Sequence, residues 1–104
     1  MLFVTVWELN ENSPVEANIA GAQQLLSSGL FPPAGVTILR WDATPDSWGI
    51  LVVEAESAGA MEETLTLWRA AVPGFFKRTR TAPAAPVQET VGRSAALLQK
   101  LGGA

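Results

Sequence analysis

Along residues 2–8, Leu2, Val4 and Val6 alternate with Phe3, Thr5 and Trp7; along residues 50–55, Ile50 and Val52 alternate with Leu51, Val53 and Ala55. Period-two spacing makes each run a strand. Neither set in either run is polar, so both strands need cover on both faces and belong in the middle of a sheet. Residues 36–56 read as a hairpin that contains the second of them. Its turn is Thr44-Pro45-Asp46-Ser47-Trp48-Gly49, where proline fixes φ, Asp and Ser close local turns and glycine permits positive φ. A fourth strand is expected over residues 75–81. It opens with Phe75 and Phe76 and continues with Lys77, Arg78 and Arg80, a composition suited to a sheet edge, where charge blocks further pairing.

Helical spacing fills the intervals. Ser13, Pro14 and Glu16 have the order of N-cap, N1 and N3 in a capping box, and Val15, Ile19, Ala22 and Leu26 follow as one apolar stripe ended by Ser28-Gly29. Ser57 is placed to cap a second helix with Met61, Leu65, Trp68 and Val72 as its stripe and Pro73-Gly74 as its stop. A third helix is expected over residues 86–101, with Pro86 at N1, Val87, Val91, Leu98 and Leu101 as its apolar face, and Gly102-Gly103 as its stop.

The order strand, helix, strand, strand, helix, strand, helix predicts an α+β, ferredoxin-like β-α-β-β-α-β sandwich with an extra C-terminal helix. The 104 residues are expected to form one domain, 1–104. Strands one and three are expected to run parallel at the centre, joined by a crossover, with strands two and four at the edges. Both main helices then cover one sheet face. The other face is apolar whichever alternation is chosen, which predicts a homodimer through sheet faces, a dimeric α/β barrel. The set Phe3, Thr5 and Trp7 is assigned to that outward face.

Composition narrows the chemistry. With no Cys and no His, thiolate chemistry, disulfides, Cys-based zinc and a Ser-His-Asp triad within the chain are excluded, and no cofactor or metal is expected. Seven basic against ten acidic residues give a net charge of −3, which argues against a nucleic-acid partner. No apolar run approaches the length of a membrane span, and the short N-terminal apolar run lacks the basic start of a signal peptide, so a cytoplasmic protein without a membrane partner is expected.

The remaining candidates are aromatic or carboxylate. The chain has four tryptophans; Trp68 falls on a helical stripe and reads as core, Trp48 lies at the hairpin tip, and Trp7 and Trp41, near strand ends, are candidates for lining a cavity. Glu8 and Glu54 are the carboxylates most embedded in apolar strand sequence, and either is a candidate acid or base, with Arg40 as an anion stabiliser. An Arg40–Glu54 pair would give a polar anchor in an otherwise apolar space between the two sheets of a dimer. The expected ligand-binding set is therefore Phe3, Trp7, Trp41, Arg40 and Glu54, for a small apolar or aromatic molecule.

Four motifs carry a resemblance: Trp7-Glu8, Phe31-Pro32-Pro33 with Gly35, Val52-Val53-Glu54-Ala55, and Pro86-Val87-Gln88-Glu89 with Val91. Together they resemble a bacterial domain-of-unknown-function family of the dimeric α/β-barrel, ferredoxin-like group, over nearly the whole chain. The chain departs from that pattern around residues 42–48, where the family carries a Gly-rich turn after an Asp. The resemblance implies fold and dimerisation but brings no activity. The wider group includes cofactor-independent monooxygenases, isomerases, haem-dependent enzymes and small ligand-binding proteins, and the absence of His weighs against the haem enzymes. Three functions stay open: a homodimeric small-molecule binder, a cofactor-independent monooxygenase or isomerase, and a dimeric interaction module.

Overall fold

The structure, a computed structural model, describes residues 1–102. Its elements are β1 (Leu2–Leu9), α1 (Val15–Ser27), β2 (Val36–Ala43), β3 (Trp48–Ala55), α2 (Ala58–Ala71), β4 (Phe76–Pro83) and α3 (Val87–Leu101). The strands form one sheet in the order β2-β3-β1-β4. This is the expected ferredoxin-like subunit with an added C-terminal helix, and the two strands without a polar side occupy its centre. The expected parallel pairing of β1 and β3 is overturned, because they run antiparallel, with Phe3 opposite Val53 and Trp7 opposite Gly49. Each crossover skips a strand: α1 joins β1 to β2 across β3, and α2 joins β3 to β4 across β1, so the parallel partners never touch and every adjacent pair is antiparallel.

The outward assignment of Phe3, Thr5 and Trp7 is also corrected. Phe3, Trp7, Leu51, Val53 and Ala55 form a core with Met61 and Leu65 of α2, so the odd-numbered positions of β1 and β3 face the helices. Bulk and register decide between two equally apolar alternations. The odd set carries both large aromatics, and Trp7 lies over Gly49, where a β-carbon would overlap its ring and the Asp42 carbonyl oxygen. Thr5 is fully buried and satisfied by a 2.7 Å hydroxyl contact with Thr81 across the β1–β4 ladder. The hairpin residue with positive φ is Ser47 (φ 61°), not Gly49. Its turn is closed by Thr44, which donates through both backbone N–H and Oγ1 to the Trp48 carbonyl.

Helix α1 also turns a different face inward than its stripe predicts. Gly21 and Leu25 are buried, whereas Val15, Ile19 and Leu26 are 49–69% exposed. The cause is a close helix–helix approach: a β-carbon on Gly21 would lie 2.7 Å from Val72 Cγ2 and 2.8 Å from the Ala71 carbonyl oxygen, so the glycine sets the contact and rotates the stripe away. The expected capping box at Ser13 does not form. Pro14 is the N-cap residue, without a side-chain cap, and Ser13 Oγ donates instead to Asn18 Oδ1 at 2.7 Å. Ser57 does cap α2, its Oγ accepting from the Ala60 N–H at 3.1 Å. Ser57→Ala is expected to cost about 1 kcal/mol and Ser13→Ala less. Urea denaturation midpoints of the two variants check this ranking, and a larger loss for Ser13→Ala would contradict it.

α3 starts one residue later than expected, after Pro86. Of its expected glycine stop, Gly102 is the C-cap residue, and Gly103 lies outside the described residues. No residue of α3 is buried. The radius of gyration is 17.4 Å and the long axis 61 Å, against about 13 Å for the radius of a compact chain of this length. The excess is the helix standing off the body. No helix is long and apolar enough to cross a membrane among the described residues.

Candidate functional site

The helix-covered face of the sheet ends in an aromatic cluster. Phe31 and Trp41 are 5.3 Å apart between ring centroids, and Trp68 lies 5.5 Å from both, edge-on to each. Phe75 stacks on Trp68 at 5.5 Å, and Phe76 follows at 5.1 Å from Phe75. The Arg69 guanidinium lies 5.9 Å from the Phe76 ring centroid, a cation–π cover on the solvent side. Local sequence explains the convergence. Trp68 is on the buried stripe of α2, the Pro73-Gly74 stop turns the chain so that Phe75 and Phe76 enter β4 beneath it, and Trp41 stands opposite Leu51 on the helix side of β2.

Trp41, Trp68, Phe75 and Phe76 of this cluster wall a cavity of about 180 Å³. Trp7 and Leu51 come from the central strands, Trp41 and Ala43 from the edge strand β2, Leu65 and Trp68 from α2, Phe76 from the start of β4 and Phe75 from the residue before it. Trp41 is 40% exposed, which puts the opening at the β2 edge. The wall is almost wholly carbon. Trp7 forms part of that wall, and its indole Nε1 is buried with no acceptor among the described residues, although a buried N–H is ordinarily paired.

The expected ligand set is therefore divided. Trp7 and Trp41 do meet, but under the helices and not on the outer face. Phe3 is in the core and does not reach the cavity. Arg40 and Glu54 share the outer face, Arg40 opposite Val52 and Glu54 opposite Thr37, with the ladder irregular between Ile38 and Arg40. They do not pair with each other. Arg40 Nε donates to Asp42, and that carboxylate raises the Arg40 pKa through the hydrogen bond and its charge. Glu54 accepts from the amine of Met1 at 3.1 Å. Glu8, also on the outer face, lies 3.7 Å from Lys77 and 3.9 Å from Arg78. All three candidates for acid, base or anion stabilisation are thus ion-pair members across the sheet from the cavity, Arg40 and Glu54 exposed and Glu8 half-buried. Sequence reasoning missed Phe75 and Phe76 as site residues. Their signal was two adjacent aromatics after a helix stop, read there only as the start of an edge strand. Among the described residues, no group of three carboxylates is placed to hold a metal ion.

A family model described as "Domain of unknown function (DUF3303)" matches residues 1–98. The chain belongs to the DUF3303 family. No curated protein matches this DUF3303 chain. Three solved structures are similar in backbone to it. A microcompartment protein from Desulfitobacterium hafniense DCB has 14% identity and a TM-score of 0.46, over 80% of this chain and 41% of that one. Protein Atu4242 from Agrobacterium tumefaciens has 10% identity and a TM-score of 0.47, over 83% and 93%. An antibiotic biosynthesis monooxygenase has 14% identity and a TM-score of 0.44, over 83% and 100%. The DUF3303 chain thus spans less than half of the first of these proteins. The expected family, one of unknown function, is the one the match gives, and the ferredoxin-like subunit is seen in the element order and the strand order of the sheet.

Proposed function

We propose that this DUF3303 chain is a homodimeric binding protein for a small aromatic molecule that carries one hydrogen-bond acceptor. The observation that carries the reading is an apolar cavity walled in part by Trp7, whose buried indole Nε1 has no acceptor among the described residues. An apolar wall supplies affinity without direction, and one fixed polar group supplies orientation. A cavity of roughly 150 Å³ lined by apolar side chains holds benzene, so about 180 Å³ fits one ring with a short substituent. The cavity lining contains no carboxylate, lysine or arginine. That favours binding over the monooxygenase or isomerase alternative, whose candidates Glu8, Glu54 and Arg40 stand elsewhere.

The dimer rests on the other sheet face. Leu2, Val4, Ile50 and Val52 are only partly buried in the single chain, and Val6 is 41% exposed. Arg78 and Arg80 flank them on β4, and Arg40 and Asp42 on β2. An apolar centre inside a charged rim is the composition of an interface, and a second copy supplies a matching face.

Titration with acetophenone and with ethylbenzene, read by tryptophan fluorescence, tests the binding. The two probes are close in size and differ in one acceptor. Leaving a buried N–H unpaired costs about 1–3 kcal/mol, so acetophenone should bind roughly 5- to 150-fold more tightly, and Trp7→Phe should remove the preference. Equal affinities in the unaltered protein would overturn the role of Trp7, and no binding of either probe would overturn the site.

A further inference from the structure

Among the described residues, two apolar stripes are left largely uncovered, and they fit each other. On α3, Val87, Val91, Leu98 and Leu101 are 61–84% exposed. With Ser94 they repeat at spacings of four, three, four and three, the narrow seam of a helix that packs against one other helix. On α1, Val15, Ile19, Ala22 and Leu26 repeat at four, three and four; Val15, Ile19 and Leu26 are exposed, and Ala22 lies at the edge of that stripe, half-buried against the core around Leu25 and Trp68. From Val15 to Leu26 and from Val87 to Leu98 the rise is the same, about 17 Å.

We infer that α3 docks antiparallel on α1 of a second copy, so that two protomers exchange their C-terminal helices. Antiparallel alignment sets Val87 by Leu26, Val91 by Ala22, Ser94 by Ile19 and Leu98 by Val15, each small residue facing a large one. Parallel alignment would set Ser94 against Ala22 and leave a gap at the centre of the seam. The antiparallel order also opposes the two helix dipoles. Docking within one chain is disfavoured by the connection. The Ala84 N–H is bonded to the Leu2 carbonyl at 2.9 Å, so only Ala85 and Pro86 separate the end of the sheet from the helix, and proline restricts both itself and the residue before it. A short stiff hinge that holds a helix off its own body favours exchange. Covering α1 with α3 leaves neither stripe open, whereas pairing α3 with α3 would leave α1 bare.

The inference rests on the homodimer proposed above, yet the two fail separately. Light scattering on Val52→Glu, at the centre of the open sheet face, reports on the sheet contact. Cross-linking reports on the helices. The chain has no cysteine, so Ile19→Cys and Ser94→Cys can be made as single variants at exposed positions, mixed, allowed to exchange subunits and oxidised. The expected product is a covalent heterodimer linking position 19 to position 94, with little link when Ala96→Cys, on the opposite side of α3, replaces Ser94→Cys. A double variant that closes into a covalent monomer would overturn the exchange in favour of docking within one chain. Dimers of Ser94→Cys alone, in preference to the mixed product, would overturn it in favour of α3–α3 pairing, and absence of any 19–94 link would overturn it outright.

Discussion

Gly49→Ala should destabilise the protein by about 3 kcal/mol, at the upper end of the usual cost of overpacking. The position looks permissive in sequence, a glycine beside a hairpin turn. In the structure it is buried on β3 opposite Trp7, and the indole and the Asp42 carbonyl occupy the space a β-carbon needs. Neither obstacle moves cheaply. Asp42 is in the β2–β3 ladder opposite Ile50, and Trp7 is wedged between Gly49 and the α2 core. Relief therefore requires Trp7 to leave its site or the hairpin to part, and either outcome also removes the cavity wall. Urea denaturation followed by circular dichroism measures the loss. A midpoint equal to that of the unaltered protein would show that Trp7 does not lie on Gly49.

Trp68→Ala carries the largest expected effect, about 3–5 kcal/mol, the range for truncating a buried large aromatic. Trp68 is 5% exposed and is the ring on which Phe31, Trp41 and Phe75 converge. Its removal deletes the contact between the sheet edge, α2 and the start of β4. The same change at Trp48, which is 40% exposed on β3, should cost well under half as much. The ratio of the two losses, from denaturation of both variants, is the informative quantity. Equal losses would contradict the placement of Trp68 at the centre of the aromatic cluster.

These two residues also show how far the sequence could be read. Trp68 was legible, because Met61, Leu65 and Trp68 fall at helical spacing and only one face of α2 can be core. The central positions of β1 and β3 were legible because neither has a polar side. The same property hid which side faces the helices: with Leu2, Val4 and Val6 as apolar as Phe3 and Trp7, alternation fixes two sets but not their direction. The deciding information was pairwise. Trp7 requires a residue without a side chain opposite it, and Gly49 supplies that only in the antiparallel register. Gly21 acted similarly on α1, setting a close contact that no periodicity records and turning Val15, Ile19 and Leu26 outward. The expected Arg40–Glu54 anchor failed for a local reason. Both residues do share a face, but each has a nearer partner, Asp42 on the same strand for Arg40 and the Met1 amine for Glu54. The cavity lies under the helices and not between the sheets of a dimer, where the sequence reading placed an apolar space, because the rings of Trp41, Trp68, Phe75 and Phe76 do not close over Trp7.

The Trp7 indole N–H gives the most direct test of the proposed site. In a proton–nitrogen correlation spectrum of 15N-labelled protein, the four tryptophans each contribute one indole resonance, assignable by replacing Trp7, Trp41, Trp48 and Trp68 in turn with Phe. On titration with acetophenone, the Trp7 resonance should move downfield as its proton gains an acceptor, Trp41 and Trp68 should shift with the ring currents of the bound probe, and Trp48 should stay in place. A Trp7 resonance that does not move while the probe is shown to bind would contradict the account.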